Sequence, residues 1–198
     1  MEMNPETRGN ILDAAETRFR RYGFAKTTMA ELAGDCGMSA GNLYRYFDNK
    51  EEIGAQVAAR CMQDHEEIGR DMLGRSDLDA GEKLEAFVVA IALDTFERVI
   101  KDSELNDLVL HITEKRHDIV ALHVRALVDI IARMLAEGDA SGKFEIDDLA
   151  STAQAVLLAC KGVVHPLLLS EWGAEEPGEA EANSRAVVGL LIRGLRRR

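Results

Sequence analysis

Cysteine, proline and aromatic residues are all scarce in this chain of 198 residues, which has 3 Cys, 3 Pro and 5% aromatic residues. Three unevenly spaced cysteines argue against a disulfide scaffold and are typical of a reducing cytoplasm. We interpret each of them as a small buried apolar residue. With sparse Gly/Pro-rich turns and with frequent Ala and Leu, the composition favours helices over a β-sandwich or barrel.

The sequence also lacks a long uncharged apolar run. The strongest candidate, residues 149–170, has Lys161 in its middle, and the uncharged part that ends at Cys160 is too short to span a bilayer. Residues 1–8 are polar and contain no apolar core of a secretion signal. We therefore expect a cytoplasmic protein with no membrane partner.

An excess of basic charge is absent as well, because the formal net charge is −11. The first 50 residues carry seven basic and seven acidic side chains, so the whole acidic excess lies in residues 51–198. An acidic surface repels a polyanion. Any contact with DNA is therefore expected in the N-terminal quarter of the chain.

Apolar residues recur at helical spacing along almost the whole chain, which predicts an all-α fold of about nine helices. The first helix is predicted over residues 5–22 and ends at Gly23. A loop is predicted over residues 171–182. Pro166 is expected to kink the helix predicted over residues 147–170 near its end. The other predicted helices are 29–36, 40–47, 50–73, 82–101, 104–115 (capped by Ser103), 118–138, 147–170 and 183–195.

Residues 28–47 have the pattern of a helix-turn-helix. Thr28 and Glu31 have the spacing of a capping box at the start of the first short helix. Gly37 breaks that helix, and Ser39 is placed to cap the second. In such a motif the second helix lies in the major groove, with its N-terminal half towards the base edges.

The second helix begins with small or polar residues, as close approach to DNA requires: Ser39, Ala40, Gly41 and Asn42. Gly41 costs about 1 kcal/mol of helix stability relative to Ala. That cost is explained if the backbone comes close to DNA at this position. A loosely formed first turn, which tolerates Gly, explains it equally well.

Two of the three tyrosines, Tyr44 and Tyr46, lie two residues apart in this helix. At 100° per residue they diverge by about 200°, so at least one of them must be exposed. Leu43 and Phe47 are predicted to form the inward face.

Hydrogen-bond donors for DNA are concentrated in the same segment. Arg45 can pair bidentately with a guanine edge or hold a phosphate, and Asn42 is a second candidate for reading bases. Lys50 lies in the first turn of the next helix, where its ammonium can join backbone N–H groups in facing a phosphate.

These residues together resemble the DNA-binding signature of the TetR family of transcriptional regulators over residues 8–53. Met38 departs from the pattern, which more often has Val there. The matching positions are Thr28, Leu32, Ala33, Gly37, Ser39, Gly41, Leu43, Tyr44, Tyr46, Phe47, Lys50 and Ile53.

The resemblance implies a DNA-binding domain at residues 1–48 and a helical ligand-binding and dimerisation domain at residues 49–198. It implies a regulator, most often a repressor, that binds a palindromic operator as a homodimer and is released by a small molecule. Tyr46 and Lys50 are expected to clamp phosphates. By similarity the DNA contacts are Thr28, Ser39, Ala40, Gly41, Asn42, Tyr44, Arg45, Tyr46 and Lys50.

The remaining candidate residues lie after the helix-turn-helix. His111 and Glu114 have a spacing that could contact one metal ion, but a third ligand is missing, so no metal or other cofactor is predicted. The candidate effector-binding residues are Phe87, His111, Glu114, His123 and Gln154. The apolar surplus of the last two long helices predicts a dimer interface: Val156, Leu157, Val163, Val164, Leu167, Leu168, Val187, Leu190, Leu191 and Leu195.

Other classes of protein receive less support from the sequence. It has no G-x-S-x-G elbow, no phosphate-binding glycine loop and no H-E-x-x-H motif, so we predict that the protein is not an enzyme. The alternatives to a ligand-released repressor are an all-helical protein-interaction module and an activator of the same fold without a small-molecule effector.

Overall fold

A computed structural model describes residues 4–172 and 175–196; residues 1–3 of the predicted DNA-binding domain and residues 173–174 of the predicted loop lie outside these ranges. The described residues form ten α-helices and no β-strand, which confirms the all-α prediction. The helices are α1 (Pro5–Tyr22), α2 (Met29–Asp35), α3 (Ala40–Leu43), α4 (Lys50–Gly74), α5 (Ala80–Lys101), α6 (Ser103–Lys115), α7 (His117–Ala140), α8 (Leu149–Val164), α9 (Pro166–Trp172) and α10 (Pro177–Leu195).

The start and end of α1 follow from local sequence. Asn4 accepts a hydrogen bond from the backbone N–H of Glu6, and Pro5 occupies the first helical position, where its missing N–H costs nothing. At the other end the Gly23 N–H donates to the Phe19 carbonyl. The predicted bounds of this helix are therefore confirmed.

The turn between α2 and α3 is a Schellman motif. The Met38 N–H donates to the Ala33 carbonyl, and the Gly37 N–H donates to that of Gly34. Gly37 has φ +64°, a left-handed conformation that side-chain-bearing residues rarely adopt. This glycine therefore sets the angle at which the chain enters α3.

The predicted end of the second helix of the helix-turn-helix and the predicted N-cap of α6 are both corrected. The helix predicted over 40–47 ends at Leu43, because the Arg45 and Tyr46 N–H groups bond three residues back and tighten the chain into turns. Asp102, not Ser103, is the N-cap of α6. Its carboxylate makes no cap hydrogen bond and pairs instead with Arg20.

The C-terminal part of the chain also differs from the prediction. The helix predicted over 147–170 is divided, because His165 adopts an extended conformation before Pro166, which cannot continue a helix. This break is why the described residues form ten helices rather than nine. The last helix begins at Pro177 rather than 183, since proline is favourable at the first helical position.

The helices form two compact units. Unit 1 comprises the described residues up to Met62 together with Lys101–Val120, and unit 2 comprises Gln63–Ile100 together with the described residues from Ala121 onward. Unit 1 packs α1, α2, α3, the first part of α4 and α6 around one core, in which Phe19 and Phe47 are buried beside Leu108. Unit 2 has its own core around Phe87, Ile131 and Met134. The division into domains at residues 1–48 and 49–198 stays a prediction.

Candidate nucleic-acid interface

The segment from α3 to the start of α4 separates an apolar inner face from a polar outer one. Leu43 and Phe47 are buried in the core of unit 1, as predicted. Tyr44 is half exposed and Arg45 is exposed, whereas Tyr46 is partly buried against the core. The expectation that at least one of the two tyrosines is exposed is therefore confirmed, although both lie in the turns after α3.

Arg45 is the strongest donor on the outer face. Within residues 4–172 and 175–196 its guanidinium has no hydrogen bond and no ion pair. A guanidinium presents five N–H donors in a planar fork that matches a guanine edge or a phosphate. This side chain is thus available for either.

The first turn of α3 is built around Ser39, whose hydroxyl accepts a hydrogen bond from the Asn42 N–H at 3.2 Å. Ala40 packs partly against the core, and the Asn42 side chain makes a weak contact with the Met38 sulfur at 3.9 Å. A Cβ at Gly41 would meet no atom within 4 Å. The packing of unit 1 therefore does not require glycine there, and both explanations of Gly41 stay open.

Thr28 is fully engaged in the predicted capping box. Its hydroxyl accepts from the Glu31 N–H and donates to the Glu31 carboxylate, which also accepts from the Thr28 N–H. Arg18 of α1 pairs with both Glu31 and Asp35 at 2.8 Å. The pairing reduces the negative charge that α2 would present to a polyanion.

Lys50 is placed differently from the expectation of a free phosphate clamp. Its ammonium donates to the Phe24 carbonyl at 2.7 Å and to the Ala25 carbonyl at 3.4 Å, and it lies 4.4 Å from the centre of the Phe24 ring. Two of its three donors are therefore used to tie the start of α4 to the loop after α1. One donor is left for a phosphate.

Arg8 belongs to the same site and was missed by the sequence reasoning. Its guanidinium donates to the Tyr46 carbonyl at 2.7 Å and lies 4.1 Å from the centre of the Phe47 ring. Its partners are 38 and 39 positions away in the chain, so no local pattern could have indicated the contact.

Two family models match this chain, one over the helix-turn-helix and one over the later helices. The family model described as bacterial regulatory proteins, tetR family, matches residues 11–57. The model described as Tetracyclin repressor-like, C-terminal domain, matches residues 80–188, which is more than half of the chain. The chain belongs to the TetR family of bacterial regulatory proteins. Members of the TetR family are transcriptional regulators and not enzymes, and they bind DNA operators.

Relatives with an assigned role support the same conclusion for this TetR-family regulator. It is 24% identical over 195 residues to the HTH-type transcriptional regulator TtgR of Pseudomonas putida, covering 98% of this chain and 80% of the relative. It is 27% identical over 208 residues to the HTH-type transcriptional repressor BepR of Brucella suis biovar 1, covering 96% and 92%.

Solved structures show that the whole fold is shared. A transcriptional regulator from Cytophaga hutchinsonii superposes with a TM-score of 0.75 at 22% identity, covering 94% of this chain and 97% of that one. SmeT, the repressor of the Stenotrophomonas maltophilia multidrug efflux pump SmeDEF, superposes with a TM-score of 0.65 at 20% identity, covering 96% and 90%.

The five predicted effector residues of this TetR-family regulator are divided between the two units. In unit 1, His111 lies 3.2 Å from the Glu51 carboxylate, and Glu114 is exposed. In unit 2, Phe87 is only 1% exposed, whereas Gln154 is exposed and His123 is partly buried. Unit 2 also has an open cleft of about 460 Å³, which none of the five lines and which is lined by Asp79, Gly81, Glu82, Glu85, Gly142, Lys143, Phe144, Ile192 and Arg196.

His123 belongs to a polar network between α4, α5 and α7. It lies 3.2 Å from the Glu66 carboxylate, and its ring centre is 5.9 Å from that of His65. His65 bonds in turn to Asp94 at 2.9 Å. Arg98 completes the network by pairing with Asp94 at 2.7 Å and with Asp64 on α4. Of the five residues that the sequence analysis offered to a ligand, His123 is thus already hydrogen-bonded within the protein, to Glu66.

Protonation of this network is unfavourable at His123. Burial lowers the pKa of His123 below its ordinary value; the hydrogen bond with Glu66 opposes this, and the nearby His65 adds to it. Burial would raise the pKa of Asp94, but hydrogen bonds with His65 and Arg98 outweigh that effect and lower the pKa to about 2. Asp94 therefore stays charged throughout the range in which His123 titrates.

We expect mild acid to destabilise unit 2. The unfolded chain holds His123 at a pKa of about 6.5, so below that pH it binds more protons than the folded chain, and the free energy of unfolding falls. Urea unfolding followed by circular dichroism between about pH 7 and pH 5 measures the slope, which His123→Gln should flatten. His117→Gln, at an exposed position in α7, is the control and should keep the parent slope. An unchanged slope in His123→Gln would contradict the assignment.

The ten residues predicted for the dimer interface differ in exposure. Val156 is only 3% exposed and packs in the core of unit 2, so its side chain is used within the chain. Leu190 is 63% exposed and Leu167 is also exposed. Leu168 is half-buried. Six others are partly buried against the same core: Leu157, Val163, Val164, Val187, Leu191 and Leu195.

A large exposed leucine that the sequence analysis missed lies on α8. Leu158 is 56% exposed, next to the half-buried Leu157 that was named instead. Helical periodicity alone could not choose between adjacent leucines, because the orientation of α8 depends on its packing against α10.

The sequence analysis expected neither a metal site nor a membrane-spanning helix. In the part of the chain that the structure describes, no group of three His, Cys, Asp or Glu residues is arranged to hold a metal ion. No helix in the described ranges is both long enough and apolar enough to cross a membrane.

Proposed function

We propose that this regulator binds a palindromic operator as a homodimer, represses transcription there, and is released when a small molecule binds its helical body. The observation that carries the DNA-binding part is the exposed outer face of the segment after Ser39, on which the Arg45 guanidinium has no partner among the residues that the structure describes. Its inner face is fixed by Leu43 and Phe47, so the outer donors are held at defined positions.

The roles proposed for the predicted contact residues follow from their placement. Arg45 and Asn42 read base edges, because they lie on the first turns of the segment that enters the major groove. Tyr46 and the remaining donor of Lys50 hold phosphates. The other contacts are made by residues that shape or flank the same surface: Thr28, Ser39, Ala40, Gly41 and Tyr44.

Repression and effector release are proposed from the relatives and from geometry. BepR is a transcriptional repressor, and SmeT is the repressor of a multidrug efflux pump. Two recognition segments of a dimer must lie about 34–36 Å apart to enter successive turns of the groove. A ligand that prefers another spacing by about 5 kcal/mol shifts the regulator from mostly bound to mostly free.

We propose α4 as the element that transmits this change. It is one continuous helix that runs from Lys50 to Gly74, and it contributes residues to both units. The proposed boundary between the DNA-binding domain (1–48) and the ligand-binding and dimerisation domain (49–198) lies two residues before its start.

The test is a selection of duplex DNA from a random pool with the full-length regulator. We expect enrichment of inverted half-sites whose centres lie about one helical turn apart. Binding should weaken with salt, with log K falling by about 0.9 per log unit for each phosphate neutralised. A pool without an enriched sequence would contradict operator recognition.

Arg45→Ala tests the residue assignment on the selected operator. We expect it to cost about 1–3 kcal/mol of binding free energy and to relax the preference at one base position in each half-site. Arg21→Ala is a charge-matched control at an exposed position near the end of α1 and should keep the base preference. If Arg45→Ala keeps the parent affinity and preference, Arg45 does not read a base.

A further inference from the structure

The recognition segment is too short to hold its own shape. α3 has only four helical residues, and the chain continues from Tyr44 to Tyr46 as successive turns. An isolated helix of this length is unstable in water. The carbonyl groups at its C-terminal end have no partner within the helix and need one elsewhere.

The Tyr46 carbonyl, in the turns that follow α3, is held from outside the motif by Arg8, near the start of α1. Arg8 donates to the Tyr46 carbonyl at 2.7 Å, and its planar guanidinium lies over the ring of Phe47 at 4.1 Å. The two contacts hold Tyr46 and Phe47, the consecutive residues directly after Arg45. Phe47 itself is only 2% exposed, so this anchor rests on a fixed part of the core.

We propose that Arg8 is a positioning residue for operator recognition: it fixes the C-terminal end of the recognition segment, and thereby the directions of Tyr44 and Arg45, without contacting DNA itself. The inference rests on the proposed function, because it assigns Arg8 a role in presenting the proposed base-reading side chains. Arg8 lies before residues 11–57, the part that the DNA-binding family model matches.

The chemistry requires arginine rather than a positive charge alone. A guanidinium can donate in its plane while its face packs on an aromatic ring, and the two contacts of Arg8 use both properties. A lysine ammonium is a point donor and cannot make both contacts with the same geometry. Arg8→Lys should therefore fail to restore what Arg8→Met removes.

The first measurement needs no DNA. Hydrogen exchange of the Tyr46 and Phe47 amides, which both donate to the Leu43 carbonyl, reports the order of the segment. Exchange should be faster in Arg8→Met and Arg8→Lys than in the parent. Arg20→Met is the matched control, because it removes an α1 arginine that pairs with Glu16 and Asp102 instead. Unchanged exchange in both Arg8 variants would overturn the proposal.

The second measurement separates positioning from direct contact with DNA. We expect both Arg8 variants to bind the selected operator about tenfold or more weakly, with the slope of log K against log salt unchanged. Non-specific duplex binding should weaken less than operator binding. A slope flatter by about 0.9 in Arg8→Met would show that Arg8 holds a phosphate, and this would overturn the proposal.

The two readouts also separate this inference from the proposed function. If the parent regulator selects no operator, the proposed function fails, while the exchange rates still decide whether Arg8 orders the segment. If operator binding is normal in the parent and in both Arg8 variants, only the role of Arg8 is refuted. Should Arg8→Met fail to fold, Arg8→Lys provides both measurements with the charge retained.

Discussion

Leu190→Asp is expected to convert the proposed dimer to a monomer and to weaken binding of the selected operator by about 100-fold or more. Leu190 is 63% exposed on α10, whereas Val188 and Ile192 on either side of it are buried. Leu158 is 56% exposed on α8, the helix that packs against α10. Large exposed leucines on two packed helices are typical of a surface that another subunit covers.

The expected effect is large because one substitution acts in both subunits of a symmetric dimer. A carboxylate buried without a partner costs several kcal/mol, so the interface should dissociate. A monomer then loses the second half-site, whose binding is intramolecular in the dimer. Analytical ultracentrifugation gives the oligomeric state, and titration of the selected operator gives the affinity.

Leu122→Asp is the matched control for this experiment. Leu122 is 65% exposed, but it lies on α7, outside the predicted interface. This variant should remain dimeric and keep the parent affinity. A Leu190→Asp protein that stays dimeric would place the interface on another surface, and a monomer with the parent's operator affinity would refute the need for a dimer.

Phe87→Ala is expected to lower the free energy of unfolding by about 3–5 kcal/mol, as truncation of a core phenylalanine commonly does. Phe87 is only 1% exposed in the core of unit 2. A Cβ built on Gly69 would lie 2.8 Å from both the Phe87 ring and the Ile130 side chain, so α4 packs here with no spare space. Removing the ring leaves a cavity that such a packed core cannot fully close.

The same variant tests the prediction that Phe87 contributes to effector binding. If the cavity stays open and apolar, benzene should raise the melting temperature of Phe87→Ala and leave that of the parent unchanged. Phe87→Leu keeps most of the volume and should lose less stability. Urea unfolding followed by circular dichroism measures the differences in the free energy of unfolding, and thermal unfolding with and without benzene measures the melting temperatures. A loss below about 1 kcal/mol for Phe87→Ala would contradict tight packing and would favour a pre-existing space at this position.

The architecture of the helix-turn-helix could be predicted from the sequence to the extent that it depends on neighbours along the chain. The capping box of Thr28 and Glu31 joins residues three apart, and the turn at Gly37 depends on a backbone conformation that glycine favours. Leu43 and Phe47 are buried as their four-residue spacing predicted, although Phe47 lies after the end of α3. These features were predicted correctly because their causes are local.

The hydrogen-bond partners of Lys50 and Arg8 could not be predicted in the same way. Lys50 has the position of a phosphate clamp in the motif, yet most of its donors are taken by carbonyls 25 and 26 positions earlier. Arg8 holds a carbonyl 38 positions later. Both contacts exist because the packing of α1 brings distant backbone groups within reach, and no periodicity in the chain encodes that distance.

Local sequence was therefore sufficient for the all-helical fold, for most helix boundaries and for the outer face of the recognition segment, because capping, periodicity and glycine conformation act within a few residues. Folding in three dimensions decided which cations stay free, which leucines of α8 and α10 remain uncovered, and how His123 is paired with Glu66. Those outcomes depend on how helices far apart in the chain pack together, and packing is a property of the assembled core rather than of any segment.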